Sequence, residues 1–255
     1  ESESTSSIIR MADILQPIPD NTIRLSEQKH EIFFRKADPP RNNYAKGTVL
    51  FVHGQSYSSA TWLENSTMQL VASSVVTGSQ QHEYTNKWES TSEEVTDVQF
   101  CIFAAAGYRC FAIDLPGCGR TGGPAVSDCE KPEVLSLVIR RLDLEVVMVV
   151  GHSMAGQYIV PLLGTDRIIC VVAIALSNTN MLDESASHIA TPVLVVWGER
   201  DTSLGPSSAS NLKRLPNARL LKIASGSHAC YLSNPSVFQS ACLNFFDLVR
   251  HYSTL

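Results

Sequence analysis

The chain has no long apolar run. Its densest, Ile168–Leu176, is the size of a strand, whereas a membrane-spanning helix needs about 20 apolar residues, so no span is expected in the chain given. It has no basic block either. Twenty Lys and Arg stand against 25 Asp and Glu, a net charge of −5, which argues against nucleic acid as a partner. There is no CxxC pair. The seven cysteines (Cys101, Cys110, Cys118, Cys129, Cys170, Cys230 and Cys242) are odd in number and irregular in spacing. That pattern speaks against a disulfide framework or a zinc site, and no metal is expected. Reduced thiols, mostly buried, in a cytoplasmic protein that also reaches the nucleus are the expectation. No signal peptide is legible in the polar stretch Glu1–Ser7, and the first residue is not Met, which fits a fragment or a processed form.

What is present is ample apolar content, 44% of 255 residues, enough to bury one full core. Residues 1–21 read as a flexible N-terminal segment and 22–251 as one domain. Thr22–Lys36 reads as two strands around a polar turn. Thr48–Val52, Tyr108–Ile113, Val146–Val150, Ile168–Leu176, Pro192–Trp197 and Arg219–Ile223 are six further β-rich runs. Runs apolar on both faces need cover on both faces, which implies a mostly parallel sheet. Helix-like segments alternate with them: Lys131–Leu142, Ser153–Leu163, Ser207–Leu215 and Pro235–His251, with another beginning near Thr61. The class is therefore α/β with an open sheet. Residues 73–104 break the rhythm with a polar, aperiodic middle. They read as a partly disordered insertion, with a functional lid and a gene-model error as the other readings.

The chemistry is signalled at Val146–Gly156, where a strand runs into Gly151-His152-Ser153-Met154-Ala155-Gly156. This is the layout of a nucleophile elbow, with Ser153 at the apex of a strained strand-to-helix turn. Ala155 stands where the pattern has its second glycine, and Gly156 comes one place late. Taken alone, Ser153 could be no more than a helix cap. An acid and a histidine follow in the chain order that such elbows use. Asp201 comes just after the run ending at Trp197, and His228 stands on a Gly/Ser loop after the last strand. The carboxyl ends of parallel strands open on one sheet edge, so these side chains can converge. Ser153 is then the nucleophile, His228 the base and Asp201 the group that orients the imidazole. Glu199 is the nearest rival acid and Asp183 another; Asp201 stands further into its loop. Two backbone N–H groups, those of Gln55 and Met154, are the expected oxyanion donors. His53 and Gly54 are expected to shape the first of those loops rather than to react.

Gly117-Cys118-Gly119-Arg120-Thr121-Gly122 matches the dinucleotide pattern GxGxxG. A dinucleotide site needs a helix opening at the last glycine. Here Gly123-Pro124 and a polar loop follow, and no helix is expected before about Lys131. Asp114-Leu115-Pro116-Gly117 reads better as a rigid turn under the active-site rim. An oxidoreductase is thus disfavoured.

With these residues in view, the chain resembles the α/β-hydrolase superfamily and, more narrowly, the α/β-hydrolase domain-containing protein 14 family. The matching pieces include Phe33-Phe34-Arg35, His53-Gly54, Ala112–Gly117, the Ser153 elbow with its late glycine, Gly198–Asp201 and His228-Ala229-Cys230-Tyr231-Leu232. The resemblance implies an α/β-hydrolase fold, a triad of Ser153, Asp201 and His228, and activity on small acyl esters. One branch of the family is similar to a lysine deacetylase that passes the acetyl group to coenzyme A. Acetylated lysine as substrate and coenzyme A as acyl acceptor follow from that likeness. The other branch carries an N-terminal membrane anchor, which the chain given lacks. No cofactor is required. Only Ser177–Ala190 remains for a cap, which favours a small acyl group. The sequence therefore points to a serine hydrolase or acyltransferase, with a non-catalytic scaffold on the same fold as the alternative.

Overall fold

The computed structural model describes residues 20–25, 30–39, 44–63 and 98–253. Most of the expected insertion, up to residue 97, lies outside them. Its last residues belong to a helix, Val98–Ala105 (α1).

The eight expected strands are present: Asp20–Leu25 (β1), His30–Ala37 (β2), Thr48–Val52 (β3), Arg109–Ile113 (β4), Val147–His152 (β5), Ile168–Ile174 (β6), Val193–Gly198 (β7) and Ala218–Ile223 (β8). They form one sheet in the order β1-β2-β4-β3-β5-β6-β7-β8. The two pairings of β2 are antiparallel and the remaining five are parallel.

Successive side chains of a strand point to opposite faces, and here each face has its own core. Leu50, Val52, Val147, Val149, Val171 and Ala173 pack with Val134, Val138 and Tyr158. Val49, Phe51, Met148, Val150, Cys170 and Val172 pack with Trp62, Phe103, Tyr231 and Phe246. Helix Lys131–Arg141 (α2) covers the first face and helix Pro235–Ser253 the second. This double cover is why β3 to β7 read as continuous apolar runs. Four of the cysteines, Cys110, Cys170, Cys230 and Cys242, are buried, whereas Cys118 is half-buried and Cys129 exposed.

Three helices differ from expectation. Ser153–Leu163 is not one helix but a 3₁₀ turn (Ser153–Ala155), a single α turn (Gly156–Ile159, α3) and a second 3₁₀ turn (Val160–Leu162). Pro161 has no N–H to continue an α-helical ladder. The helix expected at Ser207–Leu215 runs instead over Leu204–Leu212 (α4). It starts earlier because a carboxylate ahead of it accepts its first N–H groups. The helix expected near Thr61 is a 3₁₀ turn, Ser59–Trp62, beyond which residues 64–97 are not described.

After β3 the chain moves one way along the sheet, to β4; after β5 it moves the other way, to β6. The crevice at the carboxyl ends of β3 and β5 is thus a topological switch point, where open α/β sheets place their ligands. Among the described residues no helix is long and apolar enough to cross a membrane.

Candidate active site

Ser153 follows β5 at that crevice with φ +52°. This left-handed conformation costs a non-glycine residue on the order of 1–3 kcal/mol, so surrounding structure must hold it. Part of the hold is the Ser177 N–H, which donates to the Ser153 carbonyl at 2.9 Å. The late glycine of the elbow has its reason in the same contact. A Cβ on Gly156 would overlap the Ser177 carbonyl oxygen, a backbone atom, whereas a Cβ on Gly151 would meet the Cδ1 tip of Ile159. Close backbone approach therefore falls at 156, and position 155 tolerates the Ala methyl. Gly156→Ala is expected to cost roughly 1–3 kcal/mol through overpacking, several degrees in thermal midpoint. Gly151→Ala should cost less, because Ile159 can change rotamer. Thermal melts of the two variants check the order.

His228 lies between Ser153 and Asp201. Its Nε2 is 2.9 Å from Ser153 Oγ and its Nδ1 is 2.7 Å from Asp201 Oδ2. The Asp201 carboxylate is buried and fully engaged. Oδ1 accepts the Ser203 N–H at 2.9 Å and the Ser203 hydroxyl at 2.8 Å; Oδ2 also accepts the Gly205 N–H at 3.0 Å. Burial by itself would raise the Asp201 pKa. The hydrogen bonds from His228 and Ser203 outweigh it and hold the carboxyl below its ordinary value. The bonds from the Ser203 and Gly205 N–H groups satisfy free N–H groups at the start of α4, which explains its early start. Ser203 and Gly205 were not singled out from the sequence. Their signal is Asp-x-Ser-x-Gly directly after a strand, an Asx-type turn opening a helix.

The rival acids are elsewhere. Glu199 accepts the Ser225 N–H at 2.9 Å and so braces the loop that carries His228. Asp183 is exposed in the short segment after β6.

The loop after β3 faces the nucleophile, and His53 shapes it as expected. The Leu115 N–H donates to His53 Nε2 at 3.0 Å, which leaves the ring proton on Nδ1. Nδ1 donates to the Gly54 carbonyl at 2.7 Å. Burial lowers the His53 pKa, against the pull of the Gly54 carbonyl and Asp114. The Gly54 carbonyl also accepts the Tyr57 N–H at 3.1 Å. A trans peptide points its N–H opposite its C=O, so these bonds direct the Gln55 N–H away from His53. Met154 follows Ser153 and is half-buried; Gln55 is exposed.

The model of the alpha/beta hydrolase family matches residues 49–190, more than half of the chain. Protein ABHD14A of Rattus norvegicus is 30% identical over 228 residues, covering 88% of this chain and 81% of that one. The chain belongs to the alpha/beta hydrolase family. The human "Putative protein-lysine deacylase ABHD14B" is 29% identical over 235 residues, covering 89% of this chain and 95% of its own. Among solved structures, the enol-lactonase of Burkholderia xenovorans LB400 matches with a TM-score of 0.65 at 12% identity, covering 89% of this chain and all of that one. At that identity the likeness concerns the fold.

In this α/β hydrolase the glycine-rich segment after β4 is a tight loop. The Gly117 N–H donates to the Gly122 carbonyl at 2.8 Å, and α2 opens only at Lys131. The buried Asp114 carboxylate accepts the Ser59 N–H at 2.5 Å and the Arg120 N–H at 2.7 Å. It ties this loop to the 3₁₀ turn at Ser59–Trp62, the rigid support expected from the sequence. The hydrolase cap is short: between β6 and β7 there are only two 3₁₀ turns, Thr179–Met181 and Glu184–His188.

Proposed function

We propose that the chain is a serine hydrolase that cleaves small acyl esters or amides through an acyl-enzyme on Ser153. The observation that carries this reading is the continuous line from Ser153 Oγ through His228 to Asp201, with contacts of 2.9 and 2.7 Å. Ser153 Oγ attacks the acyl carbonyl while His228 Nε2 takes its proton. Asp201 keeps the other ring proton on Nδ1 and stabilises the imidazolium. The N–H groups of Gln55 and Met154 receive the developing oxyanion. The bond to the leaving alcohol or amine breaks as His228 returns the proton to it. Water then attacks the acyl-Ser153 ester, His228 takes a proton from that water and returns it to Ser153, and the carboxylic acid leaves.

Substrate class follows from the cap and the relatives. Two 3₁₀ turns between β6 and β7 enclose little, which favours a short acyl chain. The deacylase name of one relative favours an acyl-lysine amide such as acetylated lysine. Coenzyme A, the acceptor implied by the family resemblance, would take the acyl group from the same acyl-enzyme in place of water. Its phosphates would need cations, for which the sequence offers Arg120, Lys213 and Arg214: Arg214 donates to the Leu182 carbonyl, Arg120 stacks 4.2 Å from the Phe33 ring centre and Lys213 is exposed.

The test is kcat/KM for an aryl acetate against the aryl palmitate, with an acetyl-lysine peptide assayed with and without coenzyme A. The acetate is expected to be preferred by at least tenfold. Preference for palmitate would contradict the small-acyl reading, and the absence of all turnover would favour the scaffold.

A further inference from the structure

His152, the residue before the nucleophile, is completely buried. Neither ring nitrogen makes a well-formed hydrogen bond to a described residue. A buried polar ring without such bonds is less stable than an apolar one, so its presence asks for a reason. Its neighbours supply one. The ring centre lies 4.8 Å from that of His228, 5.2 Å from Tyr231 and 5.5 Å from Tyr57. The loop that carries Gln55 also packs against the ring: a Cβ on Gly54 would come 2.6 Å from His152 Nδ1 and 3.3 Å from Ser153 Cβ. One ring thus touches both the base and the loop of the oxyanion donor.

The chemistry of the ring matters as much as its shape. The titratable groups around it are His228, Asp201, His53, Tyr57 and Tyr231. Burial first, then the nearness of His228, push its pKa down to about 3, against the opposing pull of the His228 backbone and Asp201. The ring therefore stays neutral while His228 takes the Ser153 proton. A neutral imidazole has one nitrogen without a hydrogen. In the tautomer with the proton on Nε2, Nδ1 presents a bare edge to the Gly54 Cα–H, where the C–H of a phenyl ring would push the loop outward.

We propose that His152 is a positioning residue, a flat wedge that holds the His228 ring and, through its bare Nδ1 edge, the Gly54–Gln55 loop. This rests on the serine-hydrolase reading for its consequence in catalysis. The bonds from Nδ1 to Asp201 and from Nε2 to Ser153 lie along one line through the His228 ring and leave it free to tilt about that line. The His152 ring, packed against the His228 ring at 4.8 Å and 48°, removes the tilt, and its edge sets how far the Gln55 N–H stands from the base.

Two measurements on His152→Phe and His152→Ala test the wedge. The first is the NMR resonance of the His228 Nδ1–H, identified by its loss in Asp201→Asn. It should persist in the Phe variant, which keeps a flat face, and vanish in the Ala variant. The second is steady-state esterase kinetics. kcat should fall several-fold for Phe and roughly 10- to 100-fold for Ala, the scale of about 1 Å of misplacement, with KM nearly unchanged. If the Ala variant does not fold, His152→Leu, which has bulk but no flat face, takes its place. An Ala or Leu variant with the resonance and kcat of wild type overturns the proposal. A Phe variant with wild-type kcat overturns the role of the nitrogen edge. If wild type shows no Ser153-dependent turnover, the hydrolase reading fails, and the resonance still decides whether His152 holds His228.

Discussion

Ser153→Ala is expected to fold as wild type does and to lose hydrolysis of a short-chain aryl acetate by about 10⁴- to 10⁶-fold, the scale seen when a triad nucleophile is removed. The fold should survive for local reasons. Ser153 is only half-buried, and the hydroxyl bond that the variant loses is the one to His228 Nε2. The left-handed backbone at φ +52° is no obstacle to Ala, since Ala175 in the same chain adopts φ +44°. The Ser177 N–H still has the carbonyl of residue 153 to bind. Circular dichroism and the thermal midpoint check the fold, and initial rates check the chemistry. More than about a tenth of wild-type turnover would remove Ser153 from the nucleophile's role.

Asp201→Asn should be nearly as damaging, costing about 10⁴ in kcat with little change in structure. Asn fills the same volume, and its carbonyl oxygen can still accept N–H bonds from Ser203 or Gly205, which now go to the carboxylate. Its amide, however, is a donor. Turned toward His228 Nδ1, it favours the tautomer with the proton on Nε2, the atom that must receive the proton of Ser153. Glu199→Gln and Asp183→Asn should stay within a few-fold of wild type. The Ser225 N–H can bond a Gln oxygen as it bonds the Glu199 carboxylate, and Asp183 is exposed. A dead Asp183 variant beside an active Asp201 variant would reverse the assignment of the acid.

Much of this was legible before any coordinates, and the reasons are physical. Val49–Val52, Val147–Val150 and Val193–Val196 are buried on both sheet faces, so apolar character runs unbroken along them and marks the strands. Ser153, Asp201 and His228 follow the ends of β5, β7 and β8, and a parallel sheet brings such ends to one edge. Helix limits were less legible. The start of α4 depends on the Asp201 carboxylate binding Ser203 and Gly205, a contact that periodicity does not register. The break within Ser153–Leu163 has its sequence signal in Pro161. The importance of Gly156 depends on the Ser177 backbone lying across it, and the setting of His152 depends on three rings from distant segments. Such close approaches exist only once the sheet has formed. The proposed insertion at 73–104 overlaps the described structure only from residue 98, where a helix begins.

The most direct test of the hydrolase chemistry is covalent labelling of the intact chain by a fluorophosphonate, followed by mass spectrometry of its peptides. One adduct is expected, on the peptide that carries Ser153, absent from Ser153→Ala and much slowed in His228→Ala. An unlabelled, folded wild-type chain, or an adduct on a different serine, would contradict it.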